Sequence, residues 1–236
     1  MDSIAPTINE KAAKDWSSEA RRQLEANQFP KWPHEVMVKT LFGGSNYIDW
    51  SPHPNPSWKV LDIGCFFLNN TLPFAELGCE CYGIDIHAEI LEVSRQVSRA
   101  RKIPVDLKIG KNQEILYPSN LFNLLLSVGT IHYEPNLVSV HAALEEFSRV
   151  LTPGGLVFIT TTGPRHDLFA RAEYVQSNEY RLRNYDFRDD QRFFFFETEE
   201  FFKRILSDHF SRVAVGRQSE YLIKATFDEF FAICQK

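Results

Sequence analysis

From residue 57 onward, apolar runs of strand length alternate with stretches whose apolar residues recur at helical spacing. The runs are Lys59 to Ile63, Cys79 to Ile84, Val105 to Ile109, Phe122 to Ser127 and Leu156 to Thr162. Helical patterns cover Asn70 to Leu77, Glu89 to Arg101 and Leu137 to Val150. Such alternation predicts a parallel sheet with helices wound on both faces. Pro153-Gly154-Gly155 predicts a turn into the fifth strand.

Ahead of this core, Ile8, Ala12, Trp16, Ala20 and Leu24 recur at every fourth position and predict an amphipathic N-terminal helix. Phe29-Pro30-Lys31-Trp32-Pro33 stops it, and a shorter helix from His34 to Leu41 ends at Gly43-Gly44. The proline-rich stretch Ser51 to Pro56 favours extended backbone and marks a boundary. Beyond Gly163 the pattern loosens into an Arg- and Tyr-rich stretch. Phe193 to Phe196 then reads as a core strand, Thr198 to Leu206 as a helix, and Phe210 to Val215 with Glu229 to Cys234 as an antiparallel edge. The expected fold is α/β: a doubly wound, mostly parallel seven-stranded sheet with an antiparallel C-terminal edge and an N-terminal helical addition. Its parts are residues 1–56 (helical addition and link), 57–163 (core) and 164–236 (lid-like insertion and the last strands of the same sheet).

Composition narrows the partners. The chain has 236 residues and a net charge of −5, from 31 acidic and 26 basic residues, so no overall positive field attracts nucleic acid. No apolar run approaches the ~20 residues of a membrane span, and Met-Asp-Ser-Ile-Ala-Pro lacks the basic and apolar parts of a secretion signal. A soluble, cytoplasmic protein is expected, with no membrane partner and an undetermined oligomeric state. The four cysteines, Cys65, Cys79, Cys81 and Cys234, form no Cys-x-x-Cys pair and read as reduced core thiols. Cys65 stands in a turn before a helix, where a thiol pKa can be lowered, but no basic partner can be assigned to it.

In a doubly wound sheet, ligands bind outside the carboxyl ends of the strands, where the winding reverses. This selects Gly64 and Cys65, Asp85, the loop from Gly110 to Glu114, and Ser127 to Tyr133. Gly64 begins a strand-turn-helix passage, and Asp85 follows it by about 20 residues, the distance at which such folds place a carboxylate on a ribose hydroxyl pair. No metal-ligand set is assigned.

Four landmarks then occur in order: Leu-Asp-Ile-Gly-Cys at 61–65, Tyr-Gly-Ile-Asp at 82–85, Phe122 to Tyr133, and Arg-Val-Leu-Thr-Pro-Gly-Gly at 149–155. Together they resemble a class I S-adenosylmethionine-dependent methyltransferase, with a degenerate glycine-rich motif. The resemblance implies S-adenosyl-L-methionine as cofactor. Asp62 and Gly64 would face its methionine part, Asp85 its ribose, and Asn112 and Gln113 its adenine. Ser127, Val128 and Gly129 would lie beside the methyl donor, and Cys65, Asn70 and Ile86 complete the implied cofactor-binding set. Two departures stand out. Lys111 occupies a position where the family often has an acid, so backbone or Gln113 must accept the adenine amino group. Phe66 and Leu68 replace two glycines of Gly-x-Gly-x-Gly, and Phe66 is expected to fit only if its backbone is not left-handed and its ring points away from the ligand.

His132 is the first candidate for a base that takes the acceptor's proton, against the alternative that it only packs beside the cofactor. Tyr133 could offer a ring face to the sulfonium, or serve as a core or lid residue. Six arginines between Arg165 and Arg192 are matched by six acids, which favours a salt-bridged insertion over a lid for an anionic substrate. Trp16 could close over the cofactor or simply pack the first helix on the sheet. The expected activity is methyl transfer to O or N of a small polar metabolite, such as a sugar or an anionic compound. The alternatives are a catalytically inactive methyltransferase-like scaffold and, third, a nicotinamide oxidoreductase, which fits Asp85 but not the turn.

Overall fold

The computed structural model describes residues 8–50, 52–184 and 188–236. Ser51 and residues 185–187, which include Tyr185 and Asp186 of the Arg-rich stretch, lie outside the described residues, as do residues 1–7 and the side chains of 8–15, Ile8 and Ala12 among them.

Two helices, α1 (Ile8–Glu25) and α2 (Glu35–Phe42), precede the sheet. There follow β1 (Lys59–Ile63), α3 (Leu72–Leu77), β2 (Glu80–Asp85), α4 (Ala88–Arg101), β3 (Val105–Ile109), β4 (Phe122–Val128), α5 (Leu137–Val150) and β5 (Leu151–Thr162). A short helix α6 (Asp167–Ala170) leads into β6 (Ala172–Gln176), β7 (Glu179–Leu182) and β8 (Arg192–Phe194). The chain ends with α7 (Glu199–Ser207), β9 (Arg212–Leu222) and β10 (Ala225–Gln235). The main sheet has the order β3-β2-β1-β4-β5-β10-β9, in which β10 runs antiparallel to both neighbours and the winding reverses between β1 and β4.

The sheet is buried on both faces because its central strands carry consecutive apolar residues, such as Leu124 to Leu126 and Leu156 to Ile159, instead of alternating ones. Leu61, Ile63, Leu125 and Ile159 point to the side of α5 and α7, where Phe147, Phe202 and Phe230 complete one core. Val60, Leu124, Leu126 and Phe158 point the other way, onto Met37, Leu41 and Phe74 of α2 and α3. Helix starts are fixed locally: Asn136 Oδ1 accepts from Ser139 N at 2.9 Å, and Thr198 Oγ1 from Phe201 N at 3.1 Å.

The structure departs from the sequence pattern in three places. Pro153 and Gly154 do not precede the fifth strand but bulge within it: the β4–β5 ladder pairs Phe122 with Leu151 and then Leu124 with Leu156. Helix α3 begins at Leu72, because Asn69 and Asn70 are drawn into bonds with the N-terminal addition. Strands β6, β7 and β8 form a second antiparallel sheet, in the order β6-β7-β8. Its charges pair internally, Arg183 with Glu173 at 2.6 Å and with Asp190 at 2.8 Å, and Arg181 with Asp190 at 3.1 Å. The four-Phe run stitches the two sheets together by strand alternation. Phe194 and Phe196 enter the main core, while Phe193 and Phe195 pack with Leu168, Tyr180 and Leu182. No helix among the described residues is long and apolar enough to cross a membrane.

Candidate active site

The turn after β1 retains a glycine-type backbone without the glycines. Gly64, Phe66 and Leu68 have φ of 66°, 41° and 58°. The expectation that Phe66 avoids the left-handed region is therefore overturned. Each non-glycine residue held there costs about 1–2 kcal/mol, and the surroundings offset that cost. Gly64 N and Cys65 N both donate to Ile84 O, at 2.8 and 3.2 Å, and Ser94 Oγ of α4 donates to Phe66 O at 2.5 Å. The side chains are absorbed by neighbouring layers: Phe67 packs with Ala20, Ile90 and Val93, Leu68 with Cys65 and Leu91, and Phe66 lies against the first of these groups. Trp16 of α1 then bridges two loops, its ring 6.0 Å from Phe66 and 5.9 Å from Tyr133. At Gly64 itself a Cβ would fall 2.7 Å from Thr130 Cγ2, so the close approach of the β1 and β4 loops requires glycine there.

Two carboxylates flank this turn. Asp62 is buried and Oδ2 accepts from Thr71 Oγ1 at 2.8 Å; burial nevertheless pushes its pKa up to about 7, with Asp85 adding to the rise. Asp85 ends β2, is 8% exposed and accepts from His87 N at 3.1 Å. Burial raises it to about 7 as well, opposed only by backbone donors at His87 and Ile86 and by no cation. Ile86 beside it is exposed. Cys65 contradicts the idea of an activated thiol: burial, together with Asp62 and Asp85, drives its pKa well upward.

The loop after β4 is tightly tied. Ser127 Oγ and Thr130 Oγ1 are 2.6 Å apart, and Gly129 N donates to Thr160 Oγ1 at 2.9 Å. Val128, half-buried, completes the strand end. Asn112 Nδ2 donates to Glu134 Oε1 at 2.9 Å and Gln113 Nε2 to Glu134 Oε2, locking the β3 loop to the β4 loop; Lys111 instead pairs with Glu114 at 3.1 Å. His132 is 5% exposed and stacks on Phe193 with ring centroids 5.3 Å apart. Burial lowers its pKa to about 3, reinforced by His166 and Arg188, so the imidazole is neutral, and its Nδ1 has no hydrogen-bond partner. Tyr133 packs on Phe193 and Trp16.

Asp62, Gly64, Cys65, Asp85, Ile86, Asn112, Gln113, Ser127, Val128, Gly129, His132 and Tyr133 thus gather at the carboxyl ends of β1 to β4. Asn70 turns instead toward the N-terminal addition, its Oδ1 accepting from His34 N at 2.9 Å. Sequence reasoning missed His34, Glu134, Thr160, Thr162 and Glu229, all at the same end of the sheet. One signal was available for Glu229: two adjacent acids, Asp228 and Glu229, interrupt an otherwise apolar strand from Phe227 to Cys234.

Residues 61–159, which hold nearly all of these groups, match the family model described as a methyltransferase domain. Over that stretch the chain is similar to a methyltransferase domain. Over 131 residues it is 24% identical to the ubiquinone biosynthesis O-methyltransferase of Rhizobium etli (strain CIAT 652), covering 56% of this chain and 52% of that one. The chain thus spans about half the length of that curated relative. Among solved structures, a SAM-dependent methyltransferase from Methanosarcina mazei superposes with a TM-score of 0.68 at 16% identity, over 87% of this chain and 98% of the other. The 1,6-didemethyltoxoflavin-N1-methyltransferase of Burkholderia thailandensis does so with a TM-score of 0.64 at 16% identity, over 100% and 93%. The turn keeps positive φ at Phe66 and Leu68 although both are bulky, and their side chains lie against α1 and α4.

Proposed function

We propose that this chain transfers a methyl group from S-adenosyl-L-methionine to an oxygen or nitrogen of a small polar metabolite. The observation that carries the reading is Asp85: a buried carboxylate with no cation, at the end of β2 beside the reversal of the sheet, is placed to accept two hydroxyl donors from a ribose. The Gly64–Thr130 approach supplies a second fit, since it leaves backbone, not side chain, facing the ligand at the turn. The methyl acceptors named for the relatives, an oxygen in one and a ring nitrogen in the other, support both atom types.

When bound, the cofactor supplies an electrophilic sulfonium methyl group. The chain's own part is to hold and align. Asp85 fixes the ribose, Ile86 offers an apolar surface to the adenine with Asn112 and Gln113 beyond it, and Asp62 braces the turn through Thr71. Gly64, Cys65 and the backbone of Ser127 to Gly129 line the methionine side. Trp16 shields the groove from water by joining Phe66 to Tyr133. His132, neutral at physiological pH, is free to take the acceptor proton at Nδ1, although a pKa near 3 makes it a weak base. Alignment therefore supplies most of the acceleration, as in-line displacement allows. The cofactor-binding core is assigned to 57–163, with residues 1–56 and 164–236 closing the acceptor side.

Calorimetry with S-adenosylhomocysteine tests the reading. Micromolar binding that weakens at least a hundredfold in Asp85→Ala is expected, from the loss of hydrogen bonds to a charged acceptor. Absence of binding in the wild type, or unchanged binding in the variant, overturns it.

A further inference from the structure

A second polar cluster lies at the far carboxyl edge of the sheet, and all three of its residues fall outside 61–159. Thr162 and Glu229 stand directly opposite each other in the antiparallel β5–β10 ladder, so their side chains leave the same face. His34, immediately before α2, reaches that face: its ring is 6.1 Å from Phe158, and Nε2 is 2.6 Å from Glu229 Oε1. The N–H is not aimed at that oxygen, so this is a close electrostatic contact and not an aligned hydrogen bond, and Oε1 remains an unsatisfied acceptor. Thr162 Oγ1 is unsatisfied too, and the two residues are only 6% and 5% exposed.

Buried polar atoms ordinarily find partners, and two unpartnered ones on residues opposite each other in the ladder are left for a polar group from outside the chain. The cluster is also attached to the cofactor turn, because His34 N donates to Asn70 Oδ1 at 2.9 Å. Along β5, Thr162 lies two residues, about 7 Å, beyond Thr160, which receives the Gly129 amide. Thr162 therefore lies further toward the carboxyl end of the sheet than the residue bonded to Gly129.

Charge then decides what the cluster takes. The neighbouring Asp228, on the opposite face, holds Arg217 through two 2.8 Å bonds and has Arg165 at 3.8 Å. Met37 N donates to His34 Nδ1 at 3.4 Å, which leaves Nε2 as the ring atom turned to Glu229. Among the described residues no lysine or arginine pairs with Glu229, so its acceptor oxygens disfavour an anion.

We infer that His34, Thr162 and Glu229 form the acceptor subsite and that it binds a hydrogen-bond-donating hydroxyl or ammonium group of the methyl acceptor, excluding carboxylates and phosphates. This inference rests on the methyl-transfer reading for its meaning, though not for its test. His34 ring signals, assigned by their loss in His34→Asn, are followed by NMR while ethanolamine, ethylene glycol or acetate is added, with and without S-adenosylhomocysteine. The expected result is a saturable shift with ethanolamine, ethylene glycol or both, none with acetate, at least tenfold weaker binding in Glu229→Gln and at least threefold weaker binding in Thr162→Val. The size of the ethanolamine response against that of ethylene glycol separates ammonium from hydroxyl recognition. Both variants should bind S-adenosylhomocysteine within twofold of the wild type. No saturable shift with either donor, an equal shift with acetate, indifference to Glu229→Gln, or loss of S-adenosylhomocysteine binding in both variants overturns the assignment. Failure of the wild type to bind S-adenosylhomocysteine, with the probe shifts intact, counts against methyl transfer and not against the subsite.

Discussion

The two ends of the main sheet treat buried polar groups in opposite ways. At the amino end several polar side chains are tied into the fold. Arg149 reaches the carbonyls of Ile115 and Tyr117 at 2.8 and 3.0 Å and clasps Glu146; Asn123 Oδ1 accepts from Lys59 N; Lys236 Nζ donates to Leu151 O and Asn120 Oδ1. At the carboxyl end, Asp85 has only backbone donors, and His132 Nδ1, Thr161 Oγ1, Thr162 Oγ1 and Glu229 Oε1 are buried without a hydrogen-bond partner. The carboxyl end of the sheet thus keeps more acceptors without partners than the amino end, an arrangement that folding alone selects against and a binding site needs.

Substitutions at the finished end should affect stability and leave affinity alone. Arg149→Met is expected to cost about 2 kcal/mol, from carbonyls left without their donor, read as a lower denaturant midpoint, while the folded protein binds S-adenosylhomocysteine unchanged. A loss of affinity without a loss of stability would erase the contrast between the ends.

The incomplete end should respond to pH instead. Asp62 and Asp85 titrate near 7 when folded and in the ordinary carboxylate range when unfolded, so the folded chain carries more protons between about pH 4 and 7 and stability of the ligand-free protein falls as pH rises through that window. Ribose donors favour the ionised form of Asp85. Affinity for S-adenosylhomocysteine should therefore rise about tenfold from pH 6 to pH 8, as the ionised fraction of a group with a pKa near 7 does. Asp85→Asn should flatten that rise in calorimetric titrations; a profile that is flat already in the wild type would show that Asp85 is not the ribose ligand.

The smallest effect is expected at Phe66. Replacing it with glycine relieves a left-handed residue but gives up its contact with Trp16, so the net change should stay within about 1 kcal/mol. A loss well above 2 kcal/mol would show that the aromatic bridge to α1, not the backbone path, is what the turn was selected for.

Much of this site was readable along the chain. Asp62, Gly64 and Asp85 stand out because a strand, a turn and a second strand are consecutive, and local spacing fixes where they end up. The left-handed backbone of Phe66 was misjudged because its cost is offset by Ser94 and Ile84, and neither bond can be inferred from residue type. The lowered pKa of His132 and the raised one of Cys65 were also invisible, since both follow from burial by elements distant in sequence. His34 and Glu229 are nearly the whole chain apart and meet only because β10 inserts beside β5.

By itself the sequence determined the layered α/β architecture, the reversal point and the acid at the end of the second strand, because hydrophobic period and turn spacing are short-range properties. Only the tertiary structure decided that two bulky residues adopt glycine-like dihedrals, that β6, β7 and β8 form a sheet of their own, and that a histidine, a threonine and a glutamate converge at the carboxyl edge. Those outcomes depend on strand order and on hydrogen bonds between distant elements, which no local pattern encodes.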